Sequence, residues 1–429
     1  MVRLSPPGFI GYTLHAMESP KVERAALLES RFSRSDAAHT LTATFLGWTL
    51  DAFDFFVLVF VLPAIAAEFH KSVADIAFTI TATLAMRPLG AAVFGWLADR
   101  YGRRIPLMTS ISFYSVIEVL SGLAPSYRTF LILRALYGIG MGGEWGVGAA
   151  LAMEAVGPGS RGFFSGLLQE GYAVGYLLAA GAFFLVFPHF GWRALFFLGG
   201  LPAVLTIYIR SKVPESQAWE RTRPTTRDVV RAIRSNLPPF VYLVVLMTLM
   251  NFVSHGTQDL YPTFLQTQRG LDARTVATIA VIFNVGALLG GLAFGYFSDR
   301  WGRRAAMASA IALAVALIPV WIYPRSLGLL TAGAFLMQFM VQGAWGVVPA
   351  HLAELSPPQV RGLFSGLAYQ SGVFFASFAA FGEAVLAERF GYASAMAGTA
   401  AVAMLTAIVV VLLGSERPAA ELSGTRPLH

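Results

Sequence analysis

A short run of polar residues inside an apolar segment is the first feature of the sequence that could do chemistry. Its positions are spaced at i, i+3, i+4, i+7 and i+8 on one face of an α-helix, and they are Asn251, Ser254, His255, Gln258 and Asp259. His255 and Asp259 are one helical turn apart and can contact each other. Such a face lines a cavity or forms a hydrogen-bonded seam between helices. Its two titratable groups favour the cavity.

Further ionisable residues lie in other apolar segments, where each is costly unless it lines a cavity or has a partner. Arg87 is the candidate for binding a carboxylate, because a guanidinium group forms bidentate hydrogen bonds to carboxylates and stays charged. Histidine and carboxyl groups in apolar surroundings exchange protons near neutral pH. The candidate proton carriers are therefore the His255–Asp259 pair, Asp51, Asp54 and Glu144.

The composition indicates a membrane protein. Of the 429 residues, 56% are hydrophobic and only 13% are charged, which is too little charge to cover a soluble surface of this size. A bilayer core about 30 Å thick needs roughly 20 apolar residues per helical span. Twelve such segments, here numbered spans 1 to 12, are residues 41–66, 74–98, 105–124, 128–153, 161–187, 192–209, 237–265, 275–298, 305–323, 327–353, 361–387 and 391–414.

The basic residues predict the orientation in the membrane. The net charge is +7, and 22 of the 31 Lys and Arg residues lie in the termini and loops on one side of the predicted spans. The positive-inside rule places that side in the cytoplasm. We therefore expect both termini in the cytoplasm and the chain in the cell membrane, either an inner or a plasma membrane. The basic character reports this topology and predicts no nucleic-acid partner.

Three sequence motifs recur at an offset of 200 residues. The segment FGWLADRYGRR at 94–104 recurs at 294–304 as FGYFSDRWGRR. RGFFSG at 161 and GEWG at 143 recur as RGLFSG at 361 and GAWG at 343. The chain thus contains two homologous halves in the same orientation, and halves of this kind enclose a substrate site near the membrane midplane.

The repeat predicts an all-α membrane protein with twelve transmembrane helices in two pseudo-symmetric six-helix bundles. The two bundles are assigned to residues 41–210 and 237–414, joined by a cytoplasmic linker, 211–236. Residues 1–40 and 415–429 are the expected cytoplasmic terminal segments. Within the linker, residues 227–234 form either a short interfacial helix or part of a solvated loop, and the loop is the favoured interpretation.

The repeated loop resembles the signature loop between helices 2 and 3 of the major facilitator superfamily, and residues 213–216 are also similar to this family. The resemblance covers about residues 41–414 and implies the two-bundle fold of that family. It also implies that the loop residues latch a cytoplasmic gate between the halves. The matching residues are Asp99, Arg100, Arg103, Asp299, Arg300 and Arg303. The alternative is that the arginines only anchor the topology.

Span 7 resembles, more narrowly, the signature of lactate–proton symporters of the fungal Jen type. Residues 251–263 fill every specified position of that signature: Asn, two variable, Ser/Thr, His, one variable, Ser/Thr, Gln, Asp, three variable, Thr. Residues 48–56 are similar to the same family and to sialate–proton symporters. The resemblance implies substrate binding by Asn251, His255, Gln258, Asp259, Arg87 and Gln370. Arg134 resembles part of a motif tied to proton coupling; the alternative is that it pairs with Glu144 or another acid.

The expected function is secondary active transport, by proton-coupled symport of small organic carboxylates such as lactate or pyruvate. Sialate or an aromatic acid is the alternative substrate, and a sensor that binds a metabolite without transporting it is the alternative of another class. The proton gradient supplies the energy, so no cofactor or metal is expected, and a monomer suffices. The sequence has no cysteine and no triad or P-loop motif, and it predicts no enzymatic activity.

Overall fold

The computed structural model describes residues 34–416, which are almost entirely helical. Spans 1 to 4 are Arg34–Glu68, Val73–Tyr101, Arg104–Gly122 and Tyr127–Ala155. Spans 5 and 6 share three helices, Arg161–Gln169, Gly171–Leu198 and Pro202–Lys212. Spans 7 to 12 are Leu237–Gln258 with Tyr261–Thr267, Ala273–Trp301, Arg303–Ile322, Leu327–Leu355, Arg361–Ala376 with Ala379–Phe390, and Tyr392–Leu413.

Length and composition support these spans. Within residues 34–416, nine helical stretches are long and apolar enough to cross a bilayer. One of them, Pro158–Lys212, turns at Gly191, where φ is 71°, and so supplies both span 5 and span 6. Glycine adopts this left-handed conformation without the strain that a Cβ would cause. Spans 4 and 11 complete the twelve described spans, and the predicted all-α fold of two six-helix bundles is confirmed.

The two bundles pack together through spans 2 and 11 and through spans 5 and 8. Glycines of the repeated motifs lie at these contacts. A Cβ on Gly146 of span 4 would clash with the backbone of Gly366 in span 11, and a Cβ on Gly162 of span 5 would clash with the carbonyl of Gly295 in span 8. Small residues therefore let the backbones of opposite halves touch.

The linker is more ordered than the favoured solvated loop. It contains two helices, Gln217–Thr222 and Thr226–Ser235. The hydroxyl of Thr225 caps the second helix by accepting a hydrogen bond from the backbone N–H of Asp228 (3.3 Å). Val229 packs against Val360 and Phe364 at the start of span 11. Residues 227–234 therefore form a helix whose apolar side rests on the second bundle.

Span 1 also differs from its predicted boundary. Its helix begins at Arg34, inside the predicted N-terminal segment 1–40. The remainder of that segment and most of the predicted tail, residues 417–429, lie outside the described residues.

Candidate functional site

The end of the bundles that carries residues 94–104 and 294–304 is called the loop end. Here an aspartate of each half accepts hydrogen bonds from the first turn of a helix in the other half. Asp99 of span 2 accepts hydrogen bonds from two backbone N–H groups of span 11 (3.0 and 2.9 Å). Asp299 of span 8 accepts two from span 5 (2.7 and 3.1 Å). The unpaired N–H groups and the positive end of the helix dipole stabilise a carboxylate in this position.

Ion pairs reinforce the first of these contacts. Glu154 of span 4 binds Arg361 of span 11 (2.6 Å) and lies 3.4 Å from a nitrogen of Arg103. Arg103 also binds Asp99. At most 1% of each of these four side chains is exposed, so their charges are balanced within the protein rather than by water.

The second contact repeats this geometry 200 residues later. Glu354 of span 10 binds Arg303 (2.9 Å) and lies 3.3 Å from a nitrogen of Arg161 in span 5. Arg303 binds Asp299 (2.8 Å). Two matching networks thus tie the halves together, and the loop end of the protein is closed in this structure.

The predicted gate set is only partly brought together. Arg100 lies over the ring of its neighbour Tyr101 (5.1 Å), and Arg300 is exposed and donates to the hydroxyl of Tyr296 (2.5 Å). Each follows its aspartate by one residue, which turns it about 100° away around the helix. Among the described residues, neither Arg100 nor Arg300 makes a hydrogen bond or ion pair to the opposite half, so the structure does not place them in the two networks. The prediction for Asp99, Arg103, Asp299 and Arg303 agrees with this geometry.

Four further members of the networks were not predicted: Glu154, Arg161, Glu354 and Arg361. Their signal was present in the sequence, because both pairs obey the 200-residue offset. A second missed pair caps helices. Glu215 of the linker accepts from the backbone N–H of Arg103 (2.7 Å), and Glu416 accepts from that of Arg303. Burial raises the pKa of the Glu215 carboxyl above its usual value.

The interior of the first bundle holds an unusual concentration of charge. Four buried carboxyl groups, called the acid cluster, are Asp51, Asp54, Glu118 and Glu144. They share this interior with Arg87 and Arg134, which are also buried. Four acids and two guanidinium groups leave an excess of two carboxyl groups, and a buried carboxylate without a cation is costly.

Arg87 is incompletely paired. Its Nη2 atom lies 3.8 Å from Asp51, a distance that permits attraction but not a good hydrogen bond. Within the described structure, Nε and Nη2 of Arg87 and both carboxylate oxygens of Asp51 have no hydrogen-bond partner. Buried polar atoms are nearly always hydrogen-bonded. Arg87 therefore has free donors for a ligand.

Arg134 has an acidic partner, which is not Glu144, although its Nε atom has no hydrogen-bond partner among the described residues. It donates to Glu118 and to the hydroxyl of Ser121 (2.8 Å), and its guanidinium lies 4.3 Å from the ring centroid of Tyr137. Of the partners named in the alternative, Glu144 or another acid, the structure shows another acid, Glu118. Glu144 instead lies within electrostatic range of Asp51 and Arg87.

The polar face of span 7 divides between two environments. His255 contacts Asp259 (3.1 Å), and their side chains are 34% and 38% exposed. Gln258 instead donates to Ser254 (3.2 Å) and to Gln338 of span 10 (2.9 Å). The His255–Asp259 pair borders open space, while the other side is a hydrogen-bonded seam. The seam interpretation therefore fits Ser254 and Gln258, whereas the cavity interpretation stays a prediction for His255 and Asp259.

The remaining binding candidates are buried. Asn251 donates to the carbonyl of Met247 within its own helix (2.8 Å). Gln370 of span 11 is fully buried, and neither its amide nitrogen nor its oxygen has a hydrogen-bond partner in the described structure. Asp259 is close enough to act electrostatically on Tyr172 of span 5, across the boundary between halves.

A layer of aromatic side chains joins the halves and was not predicted; two of its members, Tyr172 and Tyr369, lie within electrostatic range of Arg87. The aromatic layer consists of Trp48, Trp145, Tyr172, Trp345 and Tyr369. Trp145 stacks on Tyr369 of the opposite half with ring centroids 4.0 Å apart. The three indole N–H groups of the layer have no partner among the described residues. The repeated GEWG and GAWG motifs, which contain Trp145 and Trp345, were the available signal.

Comparison with known proteins identifies the family. The sequence profile of the Major Facilitator Superfamily matches residues 44–281 and 244–428. The chain belongs to the major facilitator superfamily. The predicted resemblance is confirmed, and this facilitator is a multi-pass membrane transporter rather than an enzyme.

Individual relatives agree with this assignment. The facilitator is 30% identical over 400 residues to the carboxylic acid transporter protein homolog of Saccharomyces cerevisiae, across 86% of this chain but only 65% of the yeast protein. It is 31% identical over 345 residues to the sialic acid transporter NanX of Escherichia coli, across 77% of this chain and 83% of NanX. Its fold matches the proton:xylose symporter XylE with a TM-score of 0.73 at 18% identity, over 91% of this chain and 99% of that chain.

Proposed function

We propose that this facilitator imports small organic carboxylates, such as lactate or pyruvate, together with protons. The observation that carries the proposal is Arg87, a buried cation with two unpaired nitrogen atoms at the boundary between the halves. A carboxylate binds such donors bidentately. The relatives named for carboxylic and sialic acids support an acidic substrate.

The acid cluster supports proton coupling. Its four carboxyl groups outnumber the two guanidinium groups, so the bundle favours binding protons over holding two unpaired negative charges. A substrate carboxylate at Arg87 competes with Asp51 for the same cation, which favours a proton on Asp51 or its neighbours. His255 and Asp259 supply a second titratable pair that reaches open space. Substrate and proton would then neutralise the site together before the halves rearrange.

The closed loop end supports a mechanism of alternating access. If both termini lie on the cytoplasmic side of the plasma or inner membrane, the closed end faces the cytoplasm. The substrate then enters from the outside. Release requires the Asp99 and Asp299 networks to open. Each chain contains both halves of the site, so a monomer is the proposed functional unit, driven by the proton gradient without a cofactor.

The aromatic layer favours a second candidate substrate. Five large rings, of which Tyr172 and Tyr369 lie within electrostatic range of Arg87, offer flat apolar contacts that lactate is too small to use, and aromatic contacts contribute about 0.5–1.5 kcal/mol each. An aromatic acid or a larger acid such as sialate would use both the guanidinium and the rings. The NanX relative is named for a substrate of the larger size.

Uptake into proteoliposomes tests both candidates. Labelled lactate, pyruvate, benzoate and sialate are supplied outside, with and without an inward proton gradient. We expect uptake of at least one acid to rise as the external pH falls from 8 to 5. Uptake that is equal at both pH values would contradict proton coupling, and no uptake of any acid would contradict the substrate class. Empty liposomes correct for passive entry of the protonated acids.

A further inference from the structure

Glu170 is a buried carboxyl group that the proposed mechanism does not use. It lies in span 5 between the helices Arg161–Gln169 and Gly171–Leu198, and only 6% of it is exposed. Its Oε1 atom packs so closely on span 8 of the opposite half that a Cβ on Gly291 would collide with it. The described structure provides no hydrogen bond or ion pair to this carboxyl group.

The pseudo-symmetry of the chain supplies a reference for this position. The residue 200 positions later is Gln370, which is also buried and unpaired. The two side chains have the same shape and lie on corresponding helices, Glu170 on span 5, which packs on span 8, and Gln370 on span 11, which packs on span 2. Only Glu170 can acquire a charge. At this position, the span 5 side chain can therefore gain or lose a proton, whereas the corresponding span 11 side chain is always neutral.

Burial fixes the protonation of Glu170 in the closed protein. An ionised carboxylate without a partner is strongly unfavourable in an apolar interior, so the group stays neutral instead. The helix Arg161–Gln169 packs against spans 1, 4, 8 and 10, and in the described structure no ion pair or hydrogen bond joins the Glu170 carboxyl to an ionisable residue of these spans. Those residues are Arg34, Asp36, His39, Asp51, Asp54, Glu68, Tyr127, Arg128, Arg134, Tyr137, Glu144, Glu154, Arg274, Tyr296, Asp299, Arg300, His351 and Glu354.

Opening of the loop end would reverse this preference. Glu170 is eight residues beyond Gly162, whose N–H binds Asp299, and therefore about 12 Å deeper along the helix at 1.5 Å per residue. When spans 5 and 8 separate, water reaches the carboxyl group and ionisation becomes favourable. The proton then leaves on the side that opened, which the proposed topology identifies as the cytoplasm.

We propose that Glu170 is a proton-binding site whose occupancy is coupled to closure of the cytoplasmic side. The proposal rests on the alternating access of the proposed function. The closed state holds the proton and the open state releases it, so an acidic cytoplasm stabilises the closed state. Import of acid and protons would slow as the cytoplasm acidifies, because the carrier opens inward less often.

The absence of cysteine from the sequence allows a direct test. Ser165 of span 5 is buried at the same interface, where its hydroxyl accepts a hydrogen bond from the N–H of Ala350 in span 10 (3.0 Å). In the Ser165→Cys variant, a water-soluble maleimide reaches the thiol only when the loop end opens. Its labelling rate is measured in purified protein from pH 5.5 to 8 and divided by that of Ser235→Cys, an exposed linker position, to remove the intrinsic pH dependence of thiols.

The expected result is a normalised rate that rises with pH, by up to about tenfold per pH unit, the limit for one linked proton. Adding Glu170→Gln should abolish the rise and leave the rate low at every pH. Glu388→Gln, on an exposed carboxyl, is the matched control and should behave as Ser165→Cys alone. Identical profiles with and without Glu170→Gln would overturn the proposal.

A second variant covers the case in which Glu170→Gln does not fold. Gln370→Glu places a carboxyl in the mirror interface, and we expect the pH dependence of labelling to become steeper. An unchanged profile would contradict the argument from symmetry. The labelling assay contains no transported acid, so its failure leaves the proposed substrate class standing, and failure of the uptake panel leaves this result standing.

Discussion

The two halves of this transporter share one gate but have different interiors. The gate residues recur 200 positions later, as Asp99 and Asp299, Arg103 and Arg303, Glu154 and Glu354, Arg161 and Arg361. The acid cluster and the two arginines beside it in the first half do not recur. The residues corresponding to Asp51, Asp54, Arg87, Glu118, Arg134 and Glu144 are Asn251, Ser254, Ala287, Ile318, Ala334 and Ala344.

The difference follows from what each feature must do. The gate needs both halves, because each aspartate binds the first turn of a helix in the other half. The site needs its charges only once, since a second buried set would add desolvation cost without a second substrate. The second half contributes amides, the His255–Asp259 pair and aromatic rings instead. Four groups of substitutions, from the largest expected effect to the smallest, can break or sharpen this comparison.

Arg87→Ala should have the largest effect. We expect kcat/KM for acid uptake to fall by roughly 100-fold, because losing one partner of a buried charge pair costs about 2–5 kcal/mol. The same change leaves the Asp51 carboxylate without its neighbouring cation. Combining Arg87→Ala with Asp51→Asn removes this unpaired charge, so the double variant separates an effect on folding from an effect on substrate binding. The double variant should regain thermal stability without regaining uptake. Normal uptake in either variant would contradict the role of Arg87, and Arg389→Ala, an exposed arginine, is the control.

Asp99→Asn and Asp299→Asn should have equal effects on the gate. Each weakens hydrogen bonds to a charged group, which contribute about 1.5–3 kcal/mol, so the loop end should open roughly tenfold more often. Labelling of Ser165→Cys at constant pH measures the opening. A large effect from only one of the two aspartates would show that the gate is not symmetric.

Trp145→Leu should weaken binding more than Trp345→Leu. Trp145 stacks on Tyr369 at 4.0 Å, whereas Trp345 approaches the same ring edge-on at 5.9 Å. Loss of an aromatic pair costs about 0.5–1.5 kcal/mol, which corresponds to a KM roughly 2- to 10-fold higher. Uptake of the preferred acid from the panel measures it. Equal KM values for the two variants would show that Trp145 is not the principal aromatic contact for the substrate.

Glu215→Ala and Glu416→Ala should have the smallest effects. Each removes a carboxylate that caps the first turn of span 3 or span 9, and a lost cap costs about 0.5–2 kcal/mol. We expect slightly lower thermal midpoints and unchanged KM values for both. A changed KM in either would mean that these caps also position the site.

Much of the gate was predictable because it repeats. Asp99, Arg103 and their counterparts lie in a motif found twice, and the offset that relates them also relates the missed Glu154 and Arg361 to Glu354 and Arg161. Arg100 and Arg300 satisfied the same motif and still lie outside the networks. The reason is that both residues lie on a different face of the helix from their aspartates. A match of sequence letters alone does not show which face a residue occupies.

The site was less predictable, since partner choice depends on which spans are neighbours. Arg134 had several acids at plausible depths, and the packing of spans 3 and 4 selects Glu118 over Glu144. The polar residues of span 7 were correctly predicted to share one helix face. Because span 10 packs against that face, Ser254 and Gln258 form hydrogen bonds with it rather than lining a cavity. Gln258 therefore has a structural partner where substrate contact was predicted.

The sequence by itself determined the membrane class, the twelve spans, the two homologous halves and the residue types available at mid-membrane. The length of the apolar segments, the helical period and the repeat offset can be read from the sequence alone, because each depends only on nearby residues or on a comparison of the sequence with itself. The tertiary structure alone decided that the loop end is closed, that Arg87 keeps free donors, and that rings from both halves meet beside it. Those outcomes depend on distances between spans that are far apart in sequence, which packing sets and no local pattern encodes.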